Sequence, residues 1–99
     1  MTKYRKKPVI VEAFQYSYYE IWPFWFTLAN RTGKVVSNLE YCEIETLEGK
    51  MRCAPGDWII RGVEGEIYPC KDAIFRATYE PVEGGELIEN PDKLPEGGE

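Results

Sequence analysis

Cys53-Ala54-Pro55-Gly56-Asp57-Trp58-Ile59-Ile60-Arg61-Gly62-Val63-Glu64-Gly65-Glu66-Ile67-Tyr68-Pro69-Cys70 reads as strand, turn, strand, turn, strand. Pro55 presets φ for the first corner of a turn, and Gly56 supplies the positive φ that a type II turn needs next. Trp58 to Arg61 has the β-branched and aromatic content of a strand. Gly62 and Gly65 bracket a second reversal, after which Glu66-Ile67-Tyr68 alternates polar and apolar. The stretch therefore predicts short antiparallel strands, and the rest of the chain is read as assembled on them.

Upstream, Pro8 disfavours helix at Lys7, and Val9 to Tyr16 is β-branched at the front and alternating at the back. This predicts a first strand over Val9 to Tyr16, and its unbroken front half suggests a central strand buried on both faces. Aromatic residues then crowd together: Tyr18, Tyr19, Trp22, Phe24, Trp25 and Phe26. Ser17 to Glu20 fits a capping box, but a helix starting there would leave Pro23 without its bond to the Tyr19 carbonyl. A turn over Ser17 to Glu20 and a helix from about Trp22 to Asn30, with Pro23 in its first position, resolves the conflict. Helical spacing puts Trp22, Trp25, Phe26 and Ala29 on one face and Phe24 with Leu28 on another. One face can bury against a sheet, which leaves the other looking for a partner.

Downstream of the helix, a short strand over Lys34 to Asn38, a longer one over Leu39 to Leu47, and a hairpin turn at Glu48-Gly49-Lys50 lead into a return strand ending at Cys53. After Cys70, Lys71 to Arg76 has room for a turn and a half of helix, and Thr78 to Val82 reads as a last strand pairing with the first, bringing Arg5 near Tyr79. The fold class expected is α+β: a small bent antiparallel sheet, or a partly open barrel, with one main helix packed on it.

With 99 residues, 43% of them hydrophobic, the chain has material for one core, assigned to residues 1–83. Residues 84–99 are rich in Gly, Pro and acids and read as a flexible tail: five acids stand against Lys93, so −4 of the net charge of −5 lies there. Lys3, Arg5, Lys6 and Lys7 form a basic tip, short of the basic runs that mark nucleic-acid patches, so no direct nucleic-acid binding is expected. No segment has the length of a membrane span, the start lacks the apolar core of a signal peptide, and a cytoplasmic location is the default expectation. The three cysteines form no C-x-x-C pair, and the chain has no histidine. No metal and no cofactor is expected, and free thiols suit a reducing compartment.

Cys70 is the best candidate nucleophile, since a helix start and Lys71 beside it would favour the thiolate. No histidine is available as its base, so burial is the preferred reading. Asp57 could act as a general acid or base, but an acid after Pro-Gly usually bonds to turn amides. Glu40, Glu43 and Glu45 are better explained as a solvated sheet face than as catalytic carboxylates. Trp58 and Tyr68 suit the core. The candidate ligand-binding residues are Arg5 and Lys7, which would hold phosphate, with Trp22 and Trp25 as stacking surfaces for a base. The competing reading puts these aromatics in the core and in a dimer contact.

Tyr4 to Ala13, Leu47-Glu48-Gly49, Pro55 to Cys70, Phe75 and Thr78-Tyr79-Glu80 together resemble the small phage and prophage proteins that carry a PGDY or PGDW motif. Tyr18 to Tyr41 does not follow that pattern. The resemblance implies a phage origin and no settled activity. The expectation is a non-enzymatic binding protein that neutralises a host defence factor, by sequestering a small nucleotide or by blocking a protein. The alternative is an acidic decoy, working through the Glu40 to Glu48 face and the tail, against a nucleic-acid-binding host protein. A homo-oligomer is expected, because the aromatic supply exceeds what one small core can hide.

Overall fold

The computed structural model describes residues 2–5 and 7–82; the tail expected over residues 84–99 lies outside the described residues. In chain order the elements are β1 (Glu12–Gln15), α1 (Phe24–Arg31), β2 (Val35–Ser37), β3 (Cys42–Thr46), β4 (Gly49–Cys53), β5 (Trp58–Arg61), β6 (Ile67–Cys70) and α2 (Asp72–Thr78). They form two antiparallel three-stranded sheets, β1-β5-β6 and β2-β3-β4, with no closed barrel. The fold is α+β, with the strands divided between two sheets.

The Pro55 turn forms as its chemistry dictates. Gly56 has φ +95°, and the Asp57 N–H donates to the Ala54 carbonyl at 3.0 Å. The second reversal closes with the Gly65 N–H donating to Gly62 O, also at 3.0 Å. Between these turns β5 is the central strand of its sheet, with Ile59 and Ile60 both buried. Because successive side chains point to opposite faces, that sheet is covered on both sides.

Two expectations are corrected. The first strand is an edge strand, shorter than Val9 to Tyr16: Glu12 pairs with Arg61, where β5 ends in its glycine turn, so Val9 to Val11 have no strand left to pair with. Val9 and Ile10 are exposed. The second correction concerns Thr78 to Val82, which forms no strand. Instead α2 runs to Thr78, because Phe75 and Tyr79, four residues apart, stack at 5.0 Å and extend the stack that Phe75 makes on Trp58. The first strand therefore pairs with β5 and not with a last strand.

Helix α1 starts two residues later than expected. Pro23 is its N-cap in extended conformation, and its carbonyl accepts the N–H groups of Phe26 and Thr27 at 3.0 and 3.1 Å. Gly33, at φ +89°, ends it. The inner face of α1 places Phe26 and Ala29 in a core with Tyr16, Val35, Cys42, Ile44, Cys53, Ile59 and Ile67, flanked by Phe14, Trp22 and Trp25. Phe26 is the hub: its ring meets those of Phe14, Tyr16, Trp22 and Trp25 edge to face. Burying that one side chain contributes about 1.5–3 kcal/mol.

Candidate functional site

The side chains of the Pro55 to Cys70 region are committed to one another. Asp57 Oδ1 accepts the Asp72 N–H at 3.0 Å, satisfying a first-turn donor of α2 that the helix's own N-cap, Lys71, cannot satisfy. Asp57 Oδ2 lies 3.5 Å from the Lys71 ammonium. Asp72 Oδ1 accepts from Trp58 Nε1 at 2.8 Å, Arg76 Nε at 2.9 Å and Gln15 Nε2 at 3.4 Å. The indole bond from Trp58, then Arg76, holds the Asp72 carboxyl below the usual carboxylate range. Phe75 stacks on Trp58 with centroids 4.0 Å apart. Asp57 thus bonds to the amide of a neighbouring helix where bonds to the amides of its own turn were expected, and the sequence hid this because its partners, Lys71 and Asp72, lie beyond β5 and β6 in the chain.

Cys70 differs from the expectation for a nucleophile. Burial, then the Asp57 carboxylate, push its thiol above the ordinary value, so the protonated form is favoured. The cation that was to activate it is instead paired with Asp57. Burial, then the hydrogen bond with Tyr79, push the Tyr68 phenol up to about 12. These groups are poised to stay neutral at physiological pH. Among the described residues, no group of three or more acids and cysteines is placed to hold a metal ion.

Two acids of the acidic stretch stand opposite cations. Glu43 pairs across the ladder with Arg52 at 3.5 Å, and Glu45 stands opposite Lys50. Arg52 also lies over the Tyr41 ring at 4.0 Å. Opposite charges directly across a ladder stabilise it by a few tenths of a kcal/mol up to about 1 kcal/mol, and they cancel the charge of Glu43 and Glu45 toward an outside partner.

The remaining candidate surface surrounds Tyr18. Trp22 is half-buried: its Nε1 donates to Ser17 O at 2.9 Å, its ring stacks on Tyr16 and meets Tyr18 edge to face. Trp25, also half-buried, packs edge to face on Phe14 at 5.7 Å. Both tryptophans flank Phe26 and serve the core. Arg5 and Lys7 are exposed ahead of β1, and among the described residues no ring or ion-pair contact joins them to either tryptophan. Beside the rings lie two shallow, open depressions that share Tyr18. One, of about 480 Å³, is lined by Asn38, Leu39, Glu40 and Tyr41. The other is lined by Glu20, Trp22, Thr27, Asn30 and Ser37. Their charged groups are Glu20 and Glu40, which oppose a phosphate.

Next to these depressions the chain exposes apolar side chains on a firm base. Ile21 is 96% exposed, Tyr19 82% and Phe24 75%, with Leu28 one helical turn beyond Phe24. This is the second face of α1 that the helical spacing foretold. Ile21 and Tyr19 extend it, a contribution invisible in the sequence because the turn before the helix has no periodicity.

The fold and this surface define a small α+β domain with a covered two-faced sheet and one open apolar helix face. Comparison with protein-family models, with curated proteins and with solved structures finds no match. Among the described residues no helix is long and apolar enough to cross a membrane.

Proposed function

We propose that this protein is a non-enzymatic binding protein of phage origin that neutralises a host defence factor by direct contact, laying the outer face of α1 into an apolar groove of that factor. The observation that carries this reading is the exposure of Phe24 on a helix whose other face is anchored by Phe26, with Ile21 exposed in the turn just ahead of it. A helix presenting anchors at i and i+4, here Phe24 and Leu28, is the recurrent way an apolar groove is occupied. Blocking a protein is favoured over nucleotide sequestration because the depressions beside Trp22 present Glu20 and Glu40 where phosphate would need cations. It is favoured over the acidic decoy because Glu43 and Glu45 already face Arg52 and Lys50. The phage origin rests on the resemblance of the Tyr4, Leu47 and Pro55 segments.

The test is protection of a defence-sensitive phage in cells expressing the full chain. The double variant Ile21→Ser with Phe24→Ser is expected to lose protection by at least about tenfold, as for truncated anchors at other interfaces, while its melting temperature stays close to that of the parent. Protection that survives the double substitution overturns the reading. A melting temperature raised by a nucleotide extract would put sequestration in its place. Native mass measured alongside shows whether a second copy occupies the same face.

A further inference from the structure

We propose that Cys42 and Cys53 are an oxidisable dithiol pair, converted to a disulfide across β3 and β4 when the chain folds in the presence of a small-molecule disulfide oxidant. The placement follows from the hairpin. β3 and β4 are joined through Leu47 and Glu48, Thr46 faces Gly49, and counting back along the ladder sets Cys42 directly opposite Cys53. Residues directly opposed on antiparallel strands point to the same face with Cα atoms about 4.5–5.5 Å apart, inside the range of about 4.4–6.8 Å that a disulfide spans. Counted from the hairpin, theirs is a hydrogen-bonded pair, at the wide end of that spacing, so their Cβ atoms must approach by about 1–2 Å to reach disulfide spacing. Both side chains are in the core, 0% and 1% exposed. The Cys53 Sγ lies 3.5 Å from Ala54 O and 3.8 Å from Trp58 O, which hold it on the side of the sheet shared with Cys42. Cys70 is not part of the pair, since Trp58 stands opposite it in register.

The chemistry balances through two thiol–disulfide exchanges. One thiolate attacks a disulfide of the glutathione type, forming a mixed disulfide and releasing one small thiol. The second cysteine attacks the protein sulfur of that intermediate, forming the Sγ–Sγ bond and releasing the other small thiol. Two protons and two electrons leave the pair and appear on the two released thiols. Timing is set by burial. In the folded protein the thiols are out of reach, and the hydrogen bond with Cys42, then burial, push the Cys53 thiol up, which suppresses the thiolate. The pair therefore registers the redox conditions under which the chain folded and holds that state afterwards.

The test refolds the reduced, denatured full chain carrying Cys70→Ser in mixtures of reduced and oxidised glutathione, with the wild-type chain beside it, followed by denaturing alkylation and mass mapping. The expected product has lost two hydrogens, leaves Cys42 and Cys53 unalkylated in one linked peptide pair, and melts on the order of 10 °C higher until a dithiol reductant is added. Cys42→Ser is expected to remove both the mass loss and the melting shift. Alkylation of both cysteines after refolding in every mixture overturns the proposal, as does a link only between molecules. A linked product that melts no higher than the reduced protein overturns the native placement.

Discussion

The two helices are held by opposite means. Helix α2 has no fully buried residue, yet it is fixed by side-chain bonds: Asp57 supplies its missing cap, Asp72 gathers Trp58, Gln15 and Arg76, and Phe75 lies flat on Trp58. Helix α1 has no side-chain cap bond and no acid in its first turn, and it is held by Phe26 and Ala29 in the core. The difference is instructive. Directional bonds leave α2 little freedom to offer a surface to anything else. Burial of one stripe leaves the opposite stripe of α1 unconstrained, so that Phe24 and Leu28 can change without disturbing what anchors the helix.

That contrast can be broken at three points. Trp58→Ala removes the ring under Phe75 and a donor to Asp72 together, and is expected to cost about 2–3 kcal/mol in urea unfolding, less than a fully buried aromatic because Trp58 is half-exposed. A loss of a few tenths would show that α2 does not depend on the turn. An intermediate effect is expected from Asp72→Asn. The folded Asp72 carboxyl sits below its ordinary range, so the stability it contributes is present above that range and lost as pH falls through the lower folded value. Acid unfolding of the parent below about pH 4 should therefore be steeper than that of Asp72→Asn. Equal slopes would place the acid sensitivity elsewhere. The smallest effect is expected from Phe24→Ser alone, within about 0.5 kcal/mol, as for exposed sites without partners. A cost comparable to Trp58→Ala would mean that the outer face of α1 is structural.

Local chemistry was legible where it was self-contained. The Pro55-Gly56 turn and the β5 strand between Trp58 and Arg61 need only neighbouring residues to be understood, and they form as read, while the hairpin forms one residue earlier than its glycine suggested, turning at Leu47-Glu48 with Gly49 already paired to Thr46. Val9 to Val11 misled because β-branched content signals compatibility with a sheet and carries no information about whether a partner strand extends that far. Thr78 to Val82 misled because its alternation competes with an i, i+4 aromatic pair whose value appears only once Trp58 is beneath it. The apolar face of α1 was half legible: Phe24 and Leu28 follow from helical spacing, whereas Tyr19 and Ile21 belong to an aperiodic turn. The opposition of Cys42 and Cys53 depends on that one-residue shift, since the position of a two-residue connection fixes every pair behind it.

One backbone feature bears on how this chain could vary. The Tyr16 N–H donates to Asp57 O at 2.8 Å, and the Gly56 N–H donates to Tyr16 O at 3.0 Å. Everything from Ser17 to Pro55 thus departs from and returns to a single clasp at the end of the β1–β5 ladder. Such a segment is an insert in the engineering sense: its surface parts can be lengthened, shortened or exchanged while its two attachment points stay in place, provided that it still supplies its share of the core, Phe26, Ala29, Val35, Cys42, Ile44 and Cys53. The segments of the chain that resemble the PGDW proteins lie mostly on the frame, and the unmatched Tyr18 to Tyr41 lies wholly inside the insert. A frame that keeps its register while the surface of the insert varies would let one small scaffold present different helix faces.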